Sequence, residues 1–196
     1  MFFIQAFMYL FFDTETTGLP KNWKASITDV DNWPRIVQLA WQYYDNNGQL
    51  IMEQERIIKP VGFTIPTQAS DIHGVTTERA LSEGIDLKEA LLEFADVLSV
   101  ATHLVAHNID FDHSVTGAEF IRTNIPLDLF SLNRVDTMKS TTDLLKLPGR
   151  FGFKYPNLTE LHNYLFQEGF DGAYDALVDV RACARCFFEL QKQGVL

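Results

Sequence analysis

The chain is poor in cysteine, with two among 196 residues, Cys183 and Cys186. One such pair cannot build a disulfide framework or supply a four-ligand zinc site. Both fall in a segment of helical pattern and read as small core-facing residues in a reducing cytosol. Basic charge is also scarce. Sixteen Lys and Arg against 26 Asp and Glu leave a net charge of −10. That excludes a protein that coats nucleic acid through its whole surface, because such binding gains most of its affinity by neutralising phosphates. A local site is still allowed. Long apolar runs are missing too. Met1 to Phe12 is very apolar but too short to cross a bilayer, and it lacks the basic start and small-residue cleavage site of a signal peptide. No membrane contact and a cytoplasmic location are therefore expected. There is no internal repeat, low-complexity tract or linker. With 46% hydrophobic and 21% charged residues, the composition is that of a folded protein, and 1–196 reads as a single domain.

The apolar pattern outlines an α/β chain. Phe7 to Phe12 reads as a central strand, apolar on both faces. Leu19 to Pro34 is a polar loop in which Trp23 and Trp33 offer packing anchors. Arg35 to Asp45 and Leu50 to Lys59 are strands, and Asp45-Asn46-Asn47-Gly48 between them signals a hairpin turn. Short helices are expected at Thr67–Ile72 and Thr77–Leu81. A longer one at Asp86–Val100 carries Leu87, Leu91, Leu92, Phe94, Ala95 and Leu98 at helical spacing. His103–Ala106 is a strand, Phe111–Arg122 a helix and Arg134–Asp136 a fifth strand. Asn157–Phe166 and Asp175–Lys192 complete the chain as helices. A hairpin followed by βα units implies an α/β fold with a mixed sheet.

Three acidic clusters stand at the ends of these elements. In Phe12-Asp13-Thr14-Glu15-Thr16-Thr17-Gly18, two acids follow a buried strand. Residues i and i+2 of an extended chain point to one side, so Asp13 and Glu15 can aim at one point. Crowded carboxylates repel unless a cation lies between them, and hard oxygen ligands suit Mg²⁺ or Mn²⁺. In His107-Asn108-Ile109-Asp110-Phe111-Asp112, either acid can reach a site or cap the helix that follows, and His107 reads as a packing residue. In Tyr174-Asp175-Ala176-Leu177-Val178-Asp179, Asp175 is a candidate helix cap. Asp179 sits among Ala176, Leu177, Val180 and Ala182, where an unpaired charge is expensive. Carboxylates from several elements are what a two-metal site for phosphoryl chemistry needs.

These segments make the sequence similar to the DEDD exonucleases, specifically the DEDDh-type 3′–5′ exonucleases like the DNA polymerase III epsilon subunit. Phe12 to Gly18 matches the first motif and His107 to Asp112 the second, which selects Asp112 over Asp110. Tyr174 to Asp179 matches the third. Ile36-Val37-Gln38-Leu39-Ala40, Ile72-His73-Gly74-Val75 and Val135-Asp136-Thr137 are lesser matches, in order along nearly the whole chain. The resemblance implies an RNase H-like mixed five-stranded sheet flanked by helices, forming one exonuclease domain. It implies two divalent cations, Mg²⁺ or Mn²⁺, held by Asp13, Glu15 and Asp179, with Asp112 at the second metal directly or through water. It implies that the Thr16-Thr17 backbone and the His73 region meet the terminal nucleotide, with Asn108 a further substrate contact. The implied substrates are nucleic-acid 3′ ends, single-stranded or frayed, with DNA favoured over RNA although no residue is singled out as a reader of the 2′-OH, and a DNA polymerase is the partner class the resemblance suggests. No partner-binding tail follows Leu196, so the sequence does not itself identify that polymerase.

One position departs from the family. Its general base is a histidine five residues before the last Asp, and Tyr174 stands there. The sister branch has a tyrosine four residues before, where this chain has Asp175. A phenol of pKa about 10 is protonated at neutral pH and cannot take a proton as an imidazole does. Tyr174 is thus a substitution that traps substrate, a natural variant in which tyrosine orients the water, or the mark of a weakened nuclease that mainly binds ends. From Arg134 to Lys154 five basic residues face two acids, with Phe151, Phe153 and Tyr155 close by. That stretch is either a phosphate-contacting, base-stacking loop or an ordinary solvated one.

Overall fold

The computed structural model describes residues 7–126 and 132–196. The first six residues of the apolar N-terminal run lie outside it. The strands are β1 (Tyr9–Thr16), β2 (Ile36–Tyr44), β3 (Leu50–Ile57), β4 (His103–Ala106) and β5 (Asn133–Asp136). They form one mixed sheet in the order β3-β2-β1-β4-β5, with β1, β4 and β5 parallel and β2 and β3 antiparallel to their neighbours. The helices are α1 (Thr67–His73), α2 (Thr77–Glu83), α3 (Leu87–Leu98), α4 (Ile109–Arg122), α5 (Thr137–Ser140), α6 (Thr142–Leu145), α7 (Leu158–Phe166) and α8 (Ala176–Lys192). A small hairpin, β6 (Pro148–Gly149) with β7 (Gly152–Phe153), precedes α7. The mixed five-stranded sheet flanked by helices is the expected architecture. Among the described residues no helix is long and apolar enough to cross a membrane.

β1 is covered on both faces because its side chains alternate between two apolar layers. Leu10 and Phe12 join the core beneath α3 and α4, where Phe12 meets Phe94 at 5.4 Å between ring centroids. Tyr9 and Phe11 turn the other way, onto Ala176, Val180, Cys183 and Phe187 of α8, with Phe11 and Phe187 5.2 Å apart. Cys183 and Cys186 are buried and free, as expected. Burying each of these aromatic side chains contributes about 2 kcal/mol.

Most expected boundaries hold within two residues. β1 is the exception: it starts at Tyr9 and runs to Thr16, because Asp13–Glu15 keep pairing with Gln38–Ala40 of β2 until a register shift after Glu15. The helix expected from Phe111 begins at Ile109, since Asn108 takes a left-handed φ of 73° and turns the chain directly from β4 into α4. Trp33 is buried and donates from Nε1 to Ser26 O at 3.0 Å, so it is an anchor. Trp23 is not. It stands largely exposed, its ring centroid 5.7 Å from that of Phe111.

Candidate active site

The C-terminal ends of the parallel strands β1, β4 and β5 form one edge of the sheet, the usual place for a site in such folds. Past Phe11, the face of β1 that packs on α8 continues as Asp13 and Glu15. Asp179, in the first turn of α8, approaches from the helix side. Carboxylate oxygens of Asp13, Glu15 and Asp179 lie within 4.8 Å of one another. Asp175 caps α8 as expected: its Oδ1 accepts from the N–H groups of Leu177 and Val178 at 3.1 and 3.2 Å. That cap fixes the turn carrying Asp179. Asp179 Oδ2 accepts from Tyr174 N–H at 3.1 Å, whereas its Oδ1 is buried without a hydrogen-bond partner.

Burial pushes the Asp13 carboxyl well above the ordinary carboxylate range, and the charges of Asp112, Asp179, Glu15 and Asp175 add to the effect. Burial raises Glu15 to about 8, with Asp179, Asp112 and Asp175 contributing. Asp179 is raised to about 6, again chiefly by burial and against the pull of the Tyr174 hydrogen bond. Among the described residues no cation or donor offsets the shifts on Asp13 and Glu15. All-carboxylate donors with an orphaned buried oxygen fit a hard divalent cation, which would restore the charged forms at neutral pH.

Asp112 is buried beside this trio and outside it. It reaches β1 from α4, on the face opposite α8, and its Oδ1 accepts from both Thr14 N–H (3.0 Å) and Thr14 Oγ1 (2.7 Å). Burial raises its carboxyl to about 7 against those two bonds. Asp110 is exposed and paired with Lys139 and Arg134, so it takes no part in the cluster. His107 is a packing residue, bonded to Thr137 Oγ1 at 3.0 Å and Pro156 O at 2.9 Å.

A cavity of about 350 Å³ opens next to the carboxylates. Glu15, Thr16, Leu19, His73, Phe111 and Tyr174 contribute to its walls. His73 is buried, and its Nδ1 accepts from Val75 N–H at 3.1 Å, so the neutral ring carries its proton on Nε2. Burial keeps its pKa below the usual histidine value, with the Thr16 backbone pulling the other way. Tyr174 has a left-handed φ of 71° and is half exposed on the rim. Thr17 and Asn108 do not line this cavity. Thr17 is clamped to Arg35: its N–H donates to Arg35 O at 2.9 Å and its Oγ1 accepts from Arg35 N–H at 3.0 Å. Asn108 N–H donates to Asp136 Oδ1 at 3.1 Å.

Two supporting residues escaped the sequence reading. Thr14 reads there as a spacer between acids. Gln38 is fully buried and joins strand to helix: Nε2 donates to Glu55 Oε1 (2.6 Å) and Asp175 Oδ2 (3.4 Å), while Oε1 accepts from Ala176 N–H (3.3 Å). The signal is a polar residue, one of two glutamines with Gln42, within an otherwise apolar strand, which must find partners when buried.

Comparison with known proteins agrees with this architecture. Exonuclease I of E. coli, in a zinc-bound complex with single-stranded DNA, superposes with a TM-score of 0.77 at 20% identity, over 95% of this chain and 41% of that one. Exonuclease I from Methylocaldum szegediense gives 0.75 at 24% identity over 95% and 41%. These likenesses establish the RNase H-like fold. In sequence, the PolC-type DNA polymerase III of Lactococcus lactis is 28% identical over 180 residues, 92% of this chain and 10% of the polymerase. That of Mycoplasmopsis pulmonis is 28% identical over 130 residues, 66% and 8%. The chain thus spans a tenth or less of these polymerases. The RNase_T family model, described as an exonuclease, matches residues 10–187. Because that match runs from the central strand through the last helix and takes in all four site carboxylates, the chain belongs to the RNase_T exonuclease family.

Proposed function

We propose that the protein is a metal-dependent 3′–5′ exonuclease that hydrolyses the terminal phosphodiester of a nucleic-acid strand, DNA rather than RNA, and releases nucleoside monophosphates. The observation that carries this reading is the convergence of Asp13, Glu15 and Asp179 with no cation among the described residues offsetting the raised Asp13 and Glu15 carboxyls. Asp13, Glu15 and Asp179 would hold Mg²⁺ or Mn²⁺, with Asp112 serving a second cation directly or through water. Two cations, if bound there, would supply Lewis acidity at the scissile phosphate and would lower the pKa of the attacking water. The protein's own groups position the substrate. Leu19 and Phe111 offer apolar surface to the terminal base, and the His73 region and the Thr16 backbone meet its sugar. Thr17 acts at one remove, through the Arg35 clamp. Asn108 serves by turning the chain into α4 toward Asp112. Tyr174 offers a phenol rather than an imidazole and orients the water without taking its proton, so turnover is slow.

DNA as substrate is supported by the polymerase relatives and by the DNA complexes of the structural neighbours. A DNA polymerase is the partner the same relatives favour, and the free buried cysteines fit a reducing cytoplasm. A second reading, an end-binding module with little turnover, is favoured by Tyr174 alone. A strand labelled at its 5′ end, incubated with Mg²⁺ or Mn²⁺, separates the two. A descending ladder supports the enzyme, and a shifted but uncut band supports the binder. Matched DNA and RNA strands test the substrate preference.

A further inference from the structure

The segment between α6 and α7 exposes aromatic side chains in a way the rest of the surface does not explain. Gly149 and Gly152 close a tight hairpin: a Cβ at 149 would lie 2.9 Å from Lys154 N, and Gly152 has a φ of 127°. Lys154 N–H seals the base by donating to Leu147 O at 2.9 Å. At the tip Phe151 is 91% exposed, and Phe153 and Tyr155, at alternate positions beyond it, are each more than half exposed. The Arg150 guanidinium lies over the Phe151 ring, 5.1 Å from its centroid. Lys146 and Arg150 have no carboxylate within ion-pair distance among the described residues, whereas Lys154 is paired with Glu160. A chain of net charge −10 therefore concentrates free cations and bare rings on one projection.

The hairpin is tied to the edge that carries the carboxylates. Pro156 O, just past it, is bonded to His107, which follows β4 directly. Tyr155 lies within electrostatic reach of Lys139, which is paired with Asp110, one half-turn before Asp112 on α4. Rings interleaved with cations are what holds a single strand without reading its sequence: bases stack on the rings and phosphates meet the cations. We propose that the β6–β7 hairpin grips the single strand several nucleotides upstream of the 3′ end, through Phe151, Phe153 and Tyr155 with Arg150 and Lys146. The proposal rests on the exonuclease reading and names where that substrate is held beyond the cavity.

The test is fluorescence anisotropy with 5′-labelled dT15 and dT3 in Ca²⁺, comparing the intact protein with Phe151→Ala, Phe151→Trp and Arg150→Gln. Phe151→Ala is expected to weaken dT15 binding about tenfold and dT3 binding by less than twofold. Phe151→Trp retains dT15 affinity, because a ring is restored. Arg150→Gln flattens the dependence of dT15 affinity on salt. Unchanged unfolding midpoints show that the variants are folded. Equal dT15 affinity in the intact protein and Phe151→Ala overturns the hairpin's role while leaving the exonuclease reading standing, and would instead fit a surface that meets protein. Failure of the intact protein to bind either oligomer overturns both.

Discussion

Tyr174 N–H donates to Asp179 Oδ2 at 3.1 Å, so the residue at the family's base position also anchors a carboxylate of the acidic trio. The bond comes from the backbone, so a histidine at 174 keeps its donor. Tyr174→His is therefore expected to keep Asp179 in place and to add an imidazole that can accept a proton near neutral pH. Exonuclease turnover on a single strand should rise about 10²-fold, with a new limb in the pH profile near the histidine value of about 6.5. Equal turnover in both forms would show that Tyr174 is not a damaged base.

Asp112 depends on Thr14 in the same direct way. Thr14→Val removes the 2.7 Å hydroxyl bond and leaves the backbone one. A lost bond to a buried carboxylate costs about 1.5–3 kcal/mol, a lower melting temperature by several degrees at this size. Without the hydroxyl the Asp112 carboxyl moves further above about 7. The acid limb of kcat/KM should then shift to higher pH, and Thr14→Ser should restore it. An unmoved limb would separate Asp112 from the reaction.

How far the sequence reveals such details depends on the range of the interactions. Alternation along Phe11–Glu15 is local, so the pairing of Asp13 with Glu15 on one face was legible, as was the Asp175 cap. That Asp112 is the buried acid and Asp110 the exposed one came from motif alignment; residue type alone left both open. The roles of Thr14 and Gln38 were hidden because their partners lie 98 and 137 residues away. The extension of β1 past Phe12 was missed because polar Asp13–Thr16 look like loop until β2 pairs with them. The hairpin at Gly149–Gly152 is set by two glycines and two short strands, too brief for any periodicity to register.

The raised carboxyls make a cation's effect on stability depend on pH. In the metal-free fold Asp179, Asp112 and Glu15 titrate near about 6, 7 and 8, each above the unfolded carboxylate value. A group raised on folding stabilises while protonated and loses that contribution as pH rises through its folded pKa. The chelated protein should therefore weaken progressively from about pH 4, the unfolded carboxylate value, up to about pH 8, and a cation at the site should reverse the loss. At a hundredfold excess over Kd, Mn²⁺ is expected to raise the melting temperature by about 5–10 °C at pH 8 and far less at pH 5. Asp13→Asn should stabilise the chelated protein at pH 8 while abolishing the Mn²⁺ shift. A shift of equal size at both pH values would rule out the carboxylates as its source.

Glu119 on α4 is fully buried and holds the loop that leads into β2. Its Oε1 accepts from Arg35 Nε at 2.8 Å and from Ile36 N–H at 3.1 Å, and Arg122 Nη1 lies 3.1 Å from Oε2 as an ion pair. Arg35 in turn clamps Thr17, the neighbour of Thr16 on the cavity wall. Glu119→Ala strands two guanidiniums, both partly solvated, so the loss should fall near the lower end of the range for broken buried pairs, about 3 kcal/mol. Urea unfolding measures it. Glu119→Gln keeps an acceptor for Ile36 N–H and should lose less. Because the loosened segment borders the cavity and carries none of the acidic trio, KM for a single strand should rise more than kcat falls. A fall confined to kcat, or an unchanged urea midpoint, would show that the Glu119–Arg35 link does not hold the cavity wall.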